Sequence, residues 1–260
     1  MIFYKTEEEI ELLRRSNQLV SKTLAEVGKL IKPGVTTLRL DQRAEEFIRD
    51  NGGKPGFLGY KNYPKTLCTS VNSQVVHGIP SSYELKEGDI VSIDCGVLLN
   101  GYYGDSAYTF AIGKIDDDVK KLIKVTKESL FKGIEVAKEG KRLGDIGYEI
   151  QSYCENAGFS VVREMVGHGL GKNLHESPEV PNFGRRGKGI KLKKGMVICI
   201  EPMINLGKKE IIQEMDGWTI KTADNKPSAH YELAVAVNKN KADILSTFEY
   251  IEEVLKNNNN

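Results

Sequence analysis

Four carboxylates in this chain stand where carboxylates are rare. Asp94 follows the apolar residues Ile90, Val91 and Ile93, and Asp105 comes soon after the dipeptide Asn100-Gly101. Glu201 follows Val197, Ile198 and Ile200, and Glu232 precedes the apolar run Leu233 to Val237. Strands are poor in Asp and Glu. One such residue is explained by a strand end or an exposed edge. Four of them without neighbouring Arg or Lys are not, because buried charges need partners. Divalent cations supply that need. The chain has 4 histidines, two of which, His168 and His175, lie in GHGLGKNLHESP at 167–178. Glycines on both sides of His168 argue against a helix and permit close approach to a bound ion. By itself the segment also allows two hydrogen-bonded loop histidines. His77, in VVHGIP, reads equally as a structural or a site residue. His230, two positions before Glu232, reads as structural or supporting. Carboxylates with an imidazole suit manganese, iron(II) or cobalt, and can hold zinc. Two such ions lower the pKa of a shared water and polarise a carbonyl, so amide or ester hydrolysis is the reaction class.

The elements that must position these groups occur twice. Thr6 and Glu9 form a capping box, and Ile10, Leu13, Val20, Leu24, Val27 and Ile31 follow at helical spacing. A second helix begins near Thr37, carries Leu40, Ala44 and Phe47, and stops near Gly52. Later, Asp117 or Asp118 can cap a helix bearing Val119, Leu122, Thr126 and Leu130, and Leu143, Ile146, Ile150 and Tyr153 form another apolar face. Lys32-Pro33-Gly34 is echoed by Lys138-Glu139-Gly140, Leu40 by Ile146 and Gly52 by Gly158, at one constant separation. LKEGDIVSID at 85–94 matches LKKGMVICIE at 192–201, each read as a strand ending in a carboxylate. The pattern predicts two similar halves, about 1–115 and 116–250, fused into one domain over 1–256. Asn257 to Asn260 read as a disordered tail. Asn100-Gly101 predicts a tight hairpin that sets Asp94 near Asp105.

Bulk properties exclude several classes. Formal charge is +1, from 37 basic and 36 acidic residues, which argues against general attraction to nucleic acid or membrane. No apolar run approaches membrane-spanning or signal-peptide length, so a cytoplasmic protein is expected. The 4 cysteines form no CxxC pair and read as reduced, buried thiols.

Several motifs, VSIDCGVLLNGYYGDSAYTF at 91–110, GHGLGKNLHESP at 167–178, IEPMIN at 200–205 and SAHYE at 228–232, with VNSQVVHGIP at 71–80 and MDGWTIKT at 215–222, jointly resemble the type I methionine aminopeptidases of metallopeptidase family M24. The resemblance covers almost the whole chain. It implies an α+β pita-bread fold, two pseudo-twofold α/β halves around a curved antiparallel sheet. It implies that Asp94, Asp105, His168, Glu201 and Glu232 hold two metal ions, Asp105 and Glu232 bridging, Asp94 completing one ion and His168 with Glu201 the other. Glu201 would also carry the proton of the attacking water, His175 would stabilise the oxyanion, and His77 would contact the scissile amide or the second residue. The methionine pocket would be built from Phe57, Tyr60, Tyr63, Cys68, Leu174 and Trp218, although the residues alone leave Trp218 equally a core side chain. The implied activity is removal of the initiator methionine from nascent N-termini when the second residue is small, by a monomer, with the ribosome surface as a candidate partner.

The chain departs from the family pattern at three places: Gly96 stands where Thr is frequent, and Phe57 and Leu174 where well-known members carry Cys and Phe. These put pocket shape in question and leave the ligands untouched. It also carries neither the N-terminal zinc-binding segment of some type I members nor the type II insertion. Two rivals share the fold. A proline-specific peptidase usually has a large extra N-terminal domain, and a metal-free binding protein of this fold would lose ligands first.

Overall fold

Thr6 Oγ1 accepts the Glu9 N–H and Glu9 Oε2 accepts the Thr6 N–H, and the capping box so closed starts helix α1 (Glu7–Gly28). In this computed structural model, which describes residues 1–258, Leu13, Val20, Leu24 and Val27 form the buried face of α1. Buried polar residues lie among them, and two reach the sheet. Ser16 donates its hydroxyl to the Tyr102 carbonyl at 2.9 Å, and Asn17 Oδ1 accepts the Asp105 N–H at 3.1 Å. The helix comes so near that a Cβ on Gly104 would overlap the Ser16 and Asn17 backbone. Helix α2 (Thr37–Asp50) is capped by Thr36, and its buried Asp41 accepts the N–H groups of Thr66 and Leu67, both at 2.9 Å.

The second pair is α3 (Asp117–Val136) and α4 (Leu143–Asn156), and α5 (Glu249–Asn258) follows near the end. The N-cap of α3 is Asp116, one residue before the expected caps. Asp117 and Asp118 instead occupy the first turn, where negative charge complements the helix dipole. Asn257 and Asn258, expected in a disordered tail, continue α5, whose apolar face Ile251 and Val254 packs on the core. Asn259 and Asn260 lie outside the described residues.

A nine-stranded sheet runs through the protein. Its strands are β1 (Lys54–Pro55), β2 (Leu67–Val71), β3 (Ile90–Leu99), β4 (Tyr102–Ala111), β5 (Gly167–Gly169), β6 (Glu176–Val180), β7 (Val197–Ile200), β8 (Glu232–Ala236) and β9 (Asp243–Ile244). The order is β1-β3-β4-β8-β7-β5-β6, with β2 beside β3 and β9 beside β8, and every pairing is antiparallel. Asn100 and Gly101, at φ 53° and 80°, make the turn between β3 and β4. The two halves meet where β4 pairs with β8. One apolar cluster draws on both, including Leu24, Ile93, Phe110, Leu122, Ile150, Ile200 and Val235. This is the mixed α/β, centrally antiparallel pita-bread architecture. All four cysteines are free and buried.

Candidate metal centre and cleft

Five neighbouring strands each bring one polar group to a common place. Along β3, β4, β8, β7 and β5 these are Asp94, Asp105, Glu232, Glu201 and His168, Glu201 being the residue just after β7. Asp94 and Glu232 both pair with Ala107, so a methyl group is all that stands between them in the row. Asp105, two residues from Ala107, points to the same face. Asp94 sits in the middle of β3, not at its end, because Cys95 to Leu99 keep pairing with β4. The two matched sequence motifs therefore deliver Asp94 and Glu201 from unlike backbone positions.

Single ligand atoms of Asp105, His168, Cys199 and Glu232 lie within 4.8 Å of one another, as do those of Glu201, His230 and Glu232. His168 Nε2 is 3.7 Å from Asp105 Oδ2 and 3.7 Å from Glu201 Oε1. Its Nδ1 is 2.9 Å from the Gly169 carbonyl oxygen. A carbonyl can only accept, so Nδ1 carries the proton. Burial keeps the ring neutral, with its pKa lowered to about 4. Nε2 thus turns a lone pair toward two carboxylate oxygens, an arrangement that a cation between them would satisfy. Asp94 Oδ1, Asp105 Oδ1, Glu232 Oε1 and His230 Nε2 are buried without a hydrogen-bond partner. Among the described residues Asp105 and Glu201 form ion-pair contacts only with His168 and His230, and Asp94 and Glu232 form none. Burial raises the Asp94 pKa to about 6. It raises Asp105, Glu201 and Glu232 well above the carboxylate range, and their mutual repulsion adds to it. Orphaned oxygens, a neutral imidazole aimed at them and no cationic side chain are the donor set of a divalent-metal site.

A cavity of about 270 Å³ opens over these groups. Every residue that the resemblance assigns to the site lines it: the five above, with His77, His175, Phe57, Tyr60, Tyr63, Cys68, Leu174 and Trp218. Phe57, Tyr63, Cys68 and Leu174 are buried, and Tyr63 meets Trp218 edge-on at 5.0 Å. Trp218 is a half-buried wall of the cavity. His77 sits at φ 61°, a left-handed conformation rare for a side-chain-bearing residue, with its ring 6.3 Å from Trp218. Burial lowers its pKa to about 4. His175 is exposed, its ring 4.2 Å from that of His168.

Other residues here went unmarked in the sequence. Lys61, Val76, Glu164, Met165, Val166 and Met203 complete the cavity wall. Val76 lies one position from His77 and Met203 two positions from Glu201 in the chain, which was the available signal. Asn17 was detectable as an amide on an apolar helix face. Glu176, next to His175, forms a buried ion pair with Lys5, the two side chains 4 % and 6 % exposed. Ile2 bridges to Ser177, so the N-terminal segment lies along the His175 loop.

The departures at 57 and 96 are one feature. A Cβ at Gly96 would overlap the ring of Phe57, and Gly56 packs directly on the Gly96 backbone. Gly96 also faces Asp105 across the ladder. The absent side chain at 96 is therefore replaced by the ring from 57. Gly96→Ala is expected to cost about 1–3 kcal/mol through overpacking, measured by urea unfolding. That cost should shrink in a Phe57→Ala background, where the space is free. A penalty unaffected by truncating Phe57 would contradict the coupling.

Comparisons with known proteins agree with this geometry. Residues 11–239 match the family model described as metallopeptidase family M24. The chain is 54% identical over 246 residues to a methionine aminopeptidase of Clostridium perfringens, covering 95% of this chain and 99% of that protein. It is 50% identical over 246 residues to methionine aminopeptidase 1 of Bacillus subtilis, covering 95% and 99%. The crystal structure of methionine aminopeptidase from Rickettsia prowazekii superposes with a TM-score of 0.94 at 43% identity, covering 95% of this chain and all of that one.

Proposed function

We infer the chemistry of the cleft from one premise: the chain belongs to metallopeptidase family M24, among its methionine aminopeptidases. It is a metal-dependent exopeptidase, a hydrolase that removes the initiator methionine from the N-termini of nascent proteins. The observation that carries this reading is the row of four carboxylates and one neutral imidazole, with orphaned oxygens, on the floor of an apolar cavity.

We assign Asp94, Asp105, His168, Glu201 and Glu232 as the residues that would hold the metal, and Asp105 and Glu232 would be shared if two ions bind. Their hard oxygens and single nitrogen suit manganese, iron(II) or cobalt, and zinc can also be held. When bound, such ions lower the pKa of water and polarise the scissile carbonyl. Glu201 takes the proton of the attacking water and returns it to the leaving amine. Burial beside other carboxylates raises its proton affinity, which suits that exchange. His175 donates to the carbonyl oxygen as charge develops there. His77 meets the scissile amide or the second residue, and small second residues are preferred. The methionine side chain lies among Phe57, Tyr60, Tyr63, Cys68, Leu174 and Trp218, apolar and aromatic walls that suit a thioether.

Residues 1–256 form one catalytic domain in this reading, since one core spans both halves. The enzyme works as a monomer in the cytoplasm on chains leaving the ribosome surface. No helix among the described residues is long and apolar enough to cross a membrane. The test is a Met-X peptide series against an X-Pro series, with manganese, iron or cobalt added anaerobically. Met-Ala and Met-Gly peptides are expected to be cleaved and X-Pro peptides left intact. Cleavage of X-Pro with Met-Ala untouched would overturn the assignment.

A further inference from the structure

We propose that Tyr60 is a positioning residue for His175. Its hydroxyl donates to Nδ1 of His175, so that Nε2 carries the ring proton and is the nitrogen presented to the scissile carbonyl. The proposal rests on the role assigned to His175 above and adds the residue that fixes its orientation and tautomer.

Tyr60 Oη lies 2.9 Å from His175 Nδ1. The two rings stack, with centroids 5.2 Å apart and planes inclined by 26°. Among the described residues this hydroxyl has no other hydrogen-bond partner. A phenol that donates to Nδ1 leaves the ring proton on Nε2. The reverse arrangement would put a lone pair on Nε2, facing the oxygen that gains negative charge, and would oppose the reaction. The other ring nitrogen of a site histidine commonly decides the tautomer in this way.

A second observation concerns the backbone that carries Tyr60. The turn holds Gly59 at φ 83°, Lys61 at φ 47° and Asn62 at φ 71°. Two of those three have side chains and occupy a region that such residues disfavour. Unfavourable backbone persists where its surroundings enforce it, and it gathers at working sites. Here Gly59 donates to the Tyr63 carbonyl at 2.8 Å and Tyr60 donates to the Phe57 carbonyl at 2.9 Å. Tyr63 anchors the turn, its hydroxyl donating within reach of Leu67 and Gly78 carbonyls at 2.9 and 3.1 Å. Since His175 is exposed, the packing of a core does not hold its ring, and the hydroxyl and the stack do.

A mere wall of the pocket would need only the ring of Tyr60, so Tyr60→Phe separates the roles. On a Met-Ala peptide, kcat is expected to fall roughly tenfold or more, as when a partner orienting a site ligand is lost. KM and metal uptake should stay at the wild-type values. His175→Ala should lose roughly a hundredfold or more, the range for one oxyanion donor, and adding Tyr60→Phe to it should cost nothing further. ¹⁵N spectra of the zinc-loaded wild type should show the His175 proton on Nε2, and Tyr60→Phe should shift that signal toward a mixture. Wild-type kcat in Tyr60→Phe beside an impaired His175→Ala, a raised KM alone, additive losses, or a proton on Nδ1 in the wild type would each overturn the proposal. Wild-type turnover in His175→Ala would instead overturn the role of His175 on which it depends.

Discussion

Asp105→Ala is expected to abolish turnover while leaving the metal-free protein at least as stable as the parent. The carboxylate is 3 % exposed and lies inside the strand row, 3.7 Å from His168 Nε2. Burial and the charges of Glu232, Asp94 and Glu201 raise its pKa. Each of those causes is a cost of holding the group there without a cation, and alanine removes it. The backbone bond from Asp105 to Asn17 Oδ1 survives the substitution, so α1 keeps its grip on β4. Loss of an outer partner of a metal ligand lowers affinity or activity by roughly 10–100-fold, so loss of a ligand itself should cost more. The checks are turnover on a Met-Ala peptide, metal content after dialysis, and thermal unfolding with chelator present. Near-normal turnover with the usual metal content would refute the ligand assignment.

What was legible in the sequence follows from the range over which each signal acts. Thr6 with Glu9 and Asn100 with Gly101 are local, and each formed the cap or turn its chemistry favours. The repeated helix pairs and strands were also readable, because duplication writes itself into spacing. The strand position of Asp94 was not: Gly96 interrupts the apolar run, and only the partner strand β4 carries β3 on to Leu99. The start of α3 was off by one residue because three consecutive aspartates, Asp116 to Asp118, offer the same capping chemistry.

The cleft shows the same division. Carboxylates beside apolar strands could be recognised one by one, since their cost is a matter of local burial. The pairings that support them could not. Lys5 reaches Glu176, Asn17 reaches Asp105, and Phe57 fills the space beside Gly96, all between elements far apart in the chain. Tyr60 read only as an aromatic wall, because its hydroxyl acquires a partner when the turn at 59–62 is folded against His175. Such second partners belong to tertiary structure and leave no spacing rule behind.

Removing the metal should make stability fall with rising pH, and the sign follows from the direction of the shifts. Unfolded carboxyls titrate near about 4. In the folded, metal-free protein burial lifts Asp94 to about 6 and also lifts Asp105, Glu201 and Glu232 well above their ordinary values. The folded state then retains protons that the unfolded chain has released. Below the unfolded pKa both states are protonated and these groups carry no penalty. As pH rises through the folded values, the penalty of ionising them in place is added in full, on the order of a few kcal/mol for shifts of this kind. Bound cations reverse this, because ligands must be deprotonated to coordinate and affinity grows with pH. The gap in melting temperature between manganese-loaded and chelated protein should therefore be small near about pH 5 and wide near about pH 8. Taking the difference cancels the surface ion pairs common to both forms. Asp105→Ala should flatten this dependence, since it removes one of the coupled groups and one of the ligands together. A gap that is constant across this range, or that narrows as pH rises, would mean that these four carboxylates do not hold the cation.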